Sequence, residues 1–442
     1  MKKLFLRAKN SQLVKTSILN GIANAVKILT SLVSSKIAAV YLGPSGVALL
    51  GQFQNFTQMA MTLSTVGINA GTTKYTAEYY DDPAKRKAIL STGLMMTFAG
   101  VVIVSSVVFL GRGYFSRILL HTDQYVSVFG ILAVTLVLFA LNAYFMAVLN
   151  GFKEFKKVVG VNMATSVIGL LIAIILVISY GVYGAFLGVI LSQTLVFFIT
   201  LTFVIKSPWF SWTGMFFGFH KESAIKLGKF SLMAFTSLFA VTFIQLQIRN
   251  FIIAHVSMAD AGYWQGITRI SDLYLMFITT TLSIYYLPRL SELKTKAELR
   301  HEVIKVYKFV LPLTIATSFV IYVLQDWIIR ILLADTFIPM KPLFLFQLIG
   351  NVLRMGAWVL GYVLIAKAMT RVFIITELVF GLSLYLVTIF FVSKTGVVGA
   401  TYAYALNYFI YLTAMVIIFR NFLRKEGMHG ETDYGVGNDV DL

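Results

Sequence analysis

The chain has 442 residues, of which 58% are apolar or aromatic, 13% are charged and none is cysteine; its mean hydropathy is +0.82. Soluble domains carry roughly 25% charged residues to wet their surface, so this composition excludes a soluble enzyme and fits a polytopic helical membrane protein. The net charge of +18 would point to nucleic acid in a soluble protein. In a membrane protein it calls instead for a count of which loops hold the basic residues, and no nucleic-acid partner is expected.

Without cysteine there are no disulfides, thiolate metal sites, iron–sulfur clusters or thiol catalysis. His121, His220, His255, His301 and His429 lack the close spacing of metal ligands, no G-x-x-x-x-G-K-[ST] phosphate loop occurs, and no cofactor is expected. A β-barrel would alternate apolar and polar residues over strands of about ten, which these long apolar runs do not. The basic start, MKKLFLRAKNSQLVK, resembles the front of a signal peptide. Lys27 and Lys36 interrupt the apolar stretch that cleavage would need, so the segment is expected to stay on the chain.

In chain order, hydropathy predicts twelve helices, over 16–40, 47–71, 88–110, 125–149, 158–179, 184–205, 230–254, 263–287, 309–333, 343–366, 372–393 and 399–419. Each suffices to cross a roughly 30 Å core at about 1.5 Å per residue. Twelve spans place both termini on one side. With that side cytoplasmic, inside segments hold 26 Lys and Arg and outside loops hold 4, the bias that orients helical membrane proteins. The other basic residues, Lys15, Lys27, Lys36, Arg249, Arg269, Arg330 and Arg354, lie within spans or at their ends.

The connections carry local signals. Asp81-Asp82 has the look of a glycosyltransferase metal pair, but Asp82-Pro83 reads better as an N-cap with proline in the first turn. Gly111-Arg-Gly113 lacks the third glycine of a dinucleotide loop and reads as a turn. The linker 206–229, with Trp209, Trp212, Phe216, Phe217 and flanking lysines, suits the cytoplasmic interface. In the loop 288–308, Thr295-x-x-Glu298 is a capping box that predicts a short amphipathic helix. The Gly- and acid-rich tail, 421–442, is expected to be disordered.

Gly181-Val-Tyr-Gly184-Ala matches Gly396-Val-Val-Gly399-Ala at an offset of 215, and Lys156 faces Arg371 at the same offset. A near-constant offset argues for duplication. Six spans per half, an even number, make the halves parallel repeats. The expected fold is therefore all-α and membrane-integral: two six-helix lobes, 1–205 and 230–420, around a central cavity.

Polar stripes mark faces that avoid lipid. They include Asn24, Lys27, Ser31 and Ser34 in the first span, Gln54, Gln58 and Thr62 in the second, Thr242, Gln245 and Arg249 in the seventh, Gln265, Arg269 and Asp272 in the eighth, and Gln347, Asn351 and Arg354 in the tenth. Helix–helix hydrogen bonding would explain the neutral ones equally well. Charges within the membrane need water or a partner. Arg269 and Asp272 stand at i,i+3 and could pair; Asp326 and Arg330, at i,i+4, read as a structural pair. Five basic residues of the core, Lys27, Lys36, Arg249, Arg269 and Arg354, face only Asp272 and Glu377. Such a cavity attracts an anion, with Asp272 and Glu377 as candidate coupling groups.

Tyr41-Leu-Gly-Pro-Ser-Gly46, Asn69-Ala-Gly-Thr-Thr-Lys-Tyr75, Ile270-Ser-Asp-Leu-Tyr274, Tyr286-Leu-Pro288, Lys308-Phe-Val-Leu-Pro312 and Gly361-Tyr-Val-Leu-Ile-Ala-Lys-Ala368 resemble the O-antigen and lipid III flippases of the multidrug/oligosaccharidyl-lipid/polysaccharide transporter superfamily. The likeness runs to about residue 420 and is nearest to the common-antigen branch. The resemblance implies a bacterial inner-membrane protein that moves an undecaprenyl-pyrophosphate-linked oligosaccharide to the periplasmic leaflet by alternating access. Its implied partners are that lipid-linked glycan, the bilayer and other membrane proteins of glycan assembly. Two other classes stay open. A multidrug cation antiporter of the same superfamily would need unpaired acids in the cavity. A membrane glycan polymerase would need a sizeable outer loop, and the longest here is 111–124.

The orientation is testable because every cysteine is introduced. Ser223→Cys and Thr295→Cys should resist a membrane-impermeant maleimide in intact spheroplasts and react after lysis; labelling before lysis would invert the topology.

Overall fold

A backbone surrounded by lipid has no water to satisfy its N–H and C=O groups, and a helix satisfies them internally. The computed structural model describes residues 12–424 except 212–214, 216–217, 294 and 368; these form helices throughout, with no strand among them. Nine stretches of the described residues are long and apolar enough to cross a membrane. The tail from 425, the first eleven residues, Trp212, Phe216 and Phe217 lie outside the described residues.

The first helix, α1 (Gln12–Ser64), is broken at Gly43, where φ is +64° immediately before Pro44. Proline cannot donate to the preceding turn and pushes its predecessor out of the helical region. Lys27 and Ala38 share a cavity wall with Leu50 and Gln54, although a straight helix would separate Lys27 from Gln54 by about 40 Å. The two arms therefore fold back on each other. Helices α2 (Asn69–Glu78), α3 (Pro83–Leu110), α4 (Arg112–Leu120) and α5 (Val126–Gly151) follow.

Next, α6 (Phe155–Ile205) is broken at Gly181, φ +55°. A Cβ on Gly184 would lie 1.8 Å from the Leu176 carbonyl oxygen, so these arms also fold together. The second half runs through α7 (Lys221–Ser237), α8 (Ile244–His255), α9 (Met258–Thr281), α10 (Leu287–Glu292), α11 (Lys296–Val323), α12 (Gln325–Leu332), α13 (Phe344–Ala366), α14 (Thr370–Thr395) and α15 (Val398–Arg424). Between α14 and α15 the glycine turn recurs. Gly396 has φ +64°, and a Cβ on Gly399 would lie 2.4 Å from the Phe391 carbonyl. The repeated sequence is thus one backbone turn used twice.

Several expectations change. The span expected to reach residue 71 stops at Ser64, because Val66 and Gly67 adopt positive φ and Gly67 seats against Ala234 and Ser231 of α7. π-Helical turns, Leu238–Phe243 and Leu282–Tyr286, join α7 to α8 and α9 to α10. The Thr295–Glu298 capping box forms, but it opens a helix of 28 residues that continues through Pro312. No breaker separates the amphipathic turns from the apolar run. Asp82 caps α3 by accepting from the Lys85 N–H at 3.1 Å, and that N–H and the Lys85 ammonium hold its carboxyl below the usual range. Gly111 opens α4 rather than a bare turn. Asp326 pairs with Lys341 and Arg330 with Asp335, so the expected Asp326–Arg330 pair is absent.

One apolar core draws on both halves, packing Phe53, Phe129 and Phe186 with Ile267, Phe337 and Phe344. A second lies within the second half, around Tyr286, Met355 and Tyr411. Where the halves meet, a Cβ on Gly262 of α9 would stand 1.9 Å from the Pro44 carbonyl oxygen, so the two backbones touch. Gly262→Val should cost about 1–3 kcal/mol or more by overpacking against backbone, read as a lower Tm of the purified protein. Gly228→Ala, with no atom within 4 Å of the added Cβ, should leave Tm unchanged or raise it. An unchanged Tm in Gly262→Val would show that the α1–α9 contact is dispensable.

Candidate functional site

Two cavities sit at matching places in the two halves. The first, about 370 Å³, opens between the arms of α1 and of α6 and is lined by Lys27, Ser31, Gln54, Thr165, Ser192 and Arg269 among others. Small residues at helical spacing, such as Ser31, Ser34, Gly169 and Gly188, leave the room that larger side chains would fill. Among the described residues, Lys27 and Arg269 make no side-chain hydrogen bond or ion pair, and no Asp or Glu lines this wall. The first cavity therefore presents small hydroxyls and two cations without a bonded partner, Arg269 interacting with Asp272 only at longer range.

The second cavity, about 310 Å³, lies among α8, α9, α13, α14 and α15 and is lined by Trp264, Gln347, Arg354, Trp358, Glu377 and Tyr404 among others. Arg354 donates to Asp272 at 3.4 Å and to the Tyr404 hydroxyl at 3.3 Å, and its guanidinium carbon stands 4.3 Å from the centre of the Trp358 ring. That is close enough for a cation–π contact. Tyr404 donates onward to Asn351 Oδ1 at 3.0 Å, Asn351 to Ser271 at 2.8 Å, and Ser271 to the Ile267 carbonyl at 2.9 Å. This chain of donors fixes the guanidinium from behind. Glu377 accepts from Tyr411 at 3.4 Å.

The cavities are related by the sequence offset. Thr165 and Phe380, Gly169 and Leu384, and Ser192 and Asn407 are pairs 215 residues apart whose members line the first and second cavity respectively. Helix α9 stands between them: Thr268 faces the second cavity and Arg269 the first.

The seven charged residues singled out from sequence therefore do not share one space. Lys27 and Arg269 meet in the first cavity, and Arg354 and Glu377 in the second. The Arg269–Asp272 pair is replaced by Arg354–Asp272, because the carboxylate reaches α13 across the helix gap while Arg269 extends the other way. Arg249 lines neither cavity. It is 2% exposed, donates to Gln52 Oε1 at 2.9 Å and to Gln265 Oε1, and lies 5.5 Å from the Trp264 ring centre. Gln52 in turn donates to Asn250 at 2.6 Å. This guanidinium knits α1, α8 and α9 at the junction of the halves. Lys36 likewise leaves the cavities and donates to the Arg330 carbonyl. Sequence reasoning missed the aromatic wall of the second cavity; Tyr404, Tyr408 and Tyr411, at i, i+4 and i+7 of one apolar helix, were the available signal.

The family model for polysaccharide biosynthesis proteins matches residues 55–342. The lipid III flippase of Escherichia coli K12 is 31% identical over 413 residues, covering 93% of this chain and 99% of that protein. Two solved structures share the fold. An inward-facing multidrug resistance MATE family transporter of the MOP superfamily aligns with TM-score 0.76 at 13% identity over 90% of this chain and 94% of that one. The lipid II flippase MurJ in its inward closed conformation aligns with TM-score 0.71 at 14% identity over 92% and 87%. With nine apolar membrane-length stretches among its described residues, this is a multi-pass membrane protein. Its match along most of its length makes the chain a member of the polysaccharide biosynthesis protein family.

Proposed function

We propose that this protein is an inner-membrane flippase. It carries an undecaprenyl-pyrophosphate-linked oligosaccharide, of the O-antigen or common-antigen repeat class, from the cytoplasmic to the periplasmic leaflet by alternating access. Twelve spans in two six-helix lobes, 1–205 and 230–420, would flank the path, with the 206–229 linker and both termini cytoplasmic. Support for twelve comes from the breaks at Gly43 and Gly181, which divide two of the nine apolar stretches, and from Met258–Thr281, continued to residue 292, which adds another.

The observation that carries the reading is the pair of cations Lys27 and Arg269, without a hydrogen bond or ion pair among the described residues, in a cavity whose wall holds no acid. Unpaired charge among apolar helices is costly unless it meets water or a counter-ion, and a pyrophosphate supplies one. The identity with a lipid III flippase over 93% of the chain points the same way. Glu377, on the wall of the second cavity, favours a second reading as a cation antiporter. Within the flippase reading it is a candidate coupling group, whereas Asp272 is committed to Arg354.

Charge-assisted bonds to phosphate contribute about 1.5–3 kcal/mol each, so losing one should weaken binding roughly tenfold or more. In a bacterial strain lacking its own flippase, Arg269→Lys should restore part of the surface glycan, and Lys27→Glu or Arg269→Glu almost none, at equal membrane abundance. Normal glycan from a correctly inserted Lys27→Glu/Arg269→Glu variant would overturn the anion site. Gradient-driven transport that survives Glu377→Gln unchanged would remove Glu377 from coupling.

A further inference from the structure

The two cavities are built on one backbone plan but offer opposite chemistry. The first offers donors: Lys27 and Arg269 are cationic and can only donate. The second holds acceptors without a partner among the described residues, beside one unpartnered donor, Arg354 Nε. Gln347 and Asn407 are each 2% exposed and line that cavity, and among the described residues neither Gln347 Oε1 nor Asn407 Oδ1 has a hydrogen-bond partner. The orientation of Asn407 is fixed, since its Nδ2 donates to the Phe380 carbonyl at 3.2 Å. A buried acceptor left unmade costs about 1–3 kcal/mol, so the Asn407 oxygen, with the Gln347 amide on the same wall, calls for a ligand that brings donors as well as acceptors. An ionised phosphate only accepts, so it could meet Arg354 Nε but not the Asn407 oxygen. Sugar hydroxyls and acetamido N–H groups can donate to it.

The rest of the wall agrees with a sugar. Trp358, Tyr404, Tyr408 and Tyr411 line the cavity, and the negative face of an aromatic ring attracts the polarised C–H face of a pyranose. Arg354 is already held by Asp272, Tyr404 and Trp358. That neutralisation leaves a planar, oriented donor beside the rings rather than a free charge. The first cavity, by contrast, has no aromatic residue on its wall.

We infer that the second cavity is a separate saccharide subsite, taking hydroxyl- and amide-bearing sugar units of the lipid-linked glycan, while Lys27 and Arg269 hold its pyrophosphate on the other side of α9. This rests on the flippase reading and adds a division of labour between the pseudo-symmetric lobes. The duplicated frame supplies the two pockets, and divergence of the side chains assigns one to charge and the other to stacking and neutral hydrogen bonds.

The test uses one reporter per cavity at equivalent positions, Gly169→Cys and Leu384→Cys, each the sole cysteine of the purified full chain in nanodiscs. The probes are inorganic pyrophosphate and the neutral disaccharide N,N′-diacetylchitobiose. Pyrophosphate should slow maleimide labelling of Gly169→Cys about fivefold at roughly four times its Kd, and leave Leu384→Cys unchanged. The disaccharide should do the reverse. Adding Gln347→Met and Asn407→Leu should abolish protection by the disaccharide and spare protection by pyrophosphate. Gln347→Met should not lower Tm, because its oxygen has no bond to lose among the described residues. Asn407→Leu also gives up the Nδ2 bond to the Phe380 carbonyl, so retained protection by pyrophosphate is the check that this variant still folds. Protection of Leu384→Cys by pyrophosphate, equal protection of both reporters by either probe, or failure of the disaccharide to protect Leu384→Cys would each overturn the division. A protein that restores surface glycan but shows none of this pattern would lose the division and keep the flippase reading. One that shows the pattern and never restores glycan would do the opposite.

Discussion

A charge among apolar helices must find a partner, reach water or remain costly, and that constraint organises this molecule. Arg249, 2% exposed, is answered by two glutamine side chains and an indole rather than by a carboxylate. Those groups come from α1 and α9, so satisfying one guanidinium fastens the first half to the second. Arg354 is answered by a carboxylate, a phenol and an indole, and the donor chain through Tyr404, Asn351 and Ser271 ends on the α9 backbone. Among the described residues, Lys27 and Arg269 are the two of the five core cations that make no hydrogen bond or ion pair, Arg269 interacting with Asp272 only at longer range.

The glycine turns set the frame in which this happens. At Gly181 and Gly396 the chain needs positive φ, and at Gly184 and Gly399 it needs a backbone without Cβ to bring two helices together. Both requirements exclude other residues, so the turn sequence is held while the walls it positions diverge. The pairs Ser192 with Asn407 and Thr165 with Phe380 record that divergence: small hydroxyls in one half of the chain, an amide and a ring in the other.

The junction of the halves also sets what motion would require. Under alternating access, parting the two halves of the chain has to break the Gly262–Pro44 backbone contact, the Arg249–Gln52 bond and the shared core of Phe53, Phe186, Ile267 and Phe337. The core contributes the larger area, whereas the arginine contributes direction. A buried guanidinium that loses Gln52 must regain a partner or admit water, which favours two discrete arrangements over a continuum.

By itself the sequence determined what depends on near neighbours and on composition. Helical spans followed from hydropathy, the Asp82 and Thr295 caps from residues three apart, and the repeated turn from glycines that no other residue could replace. Even so, continuity of the Thr295 helix through Pro312 escaped it, as did the interruption at Val66 and Gly67, which depends on α7 packing against that point. Tertiary structure alone decided the pairing of charges. Asp272 could meet Arg269 three residues away, but it pairs with Arg354 from a helix 82 residues on. Likewise, polar stripes set Lys27, Arg249, Arg269 and Arg354 apart from the apolar faces of their helices, without saying whether each faces a cavity, a seam or another side chain. A stripe fixes only the face of one helix. What that face meets is set by the rotation and contact of helices far apart in the chain, and those are chosen by the packing of the whole bundle.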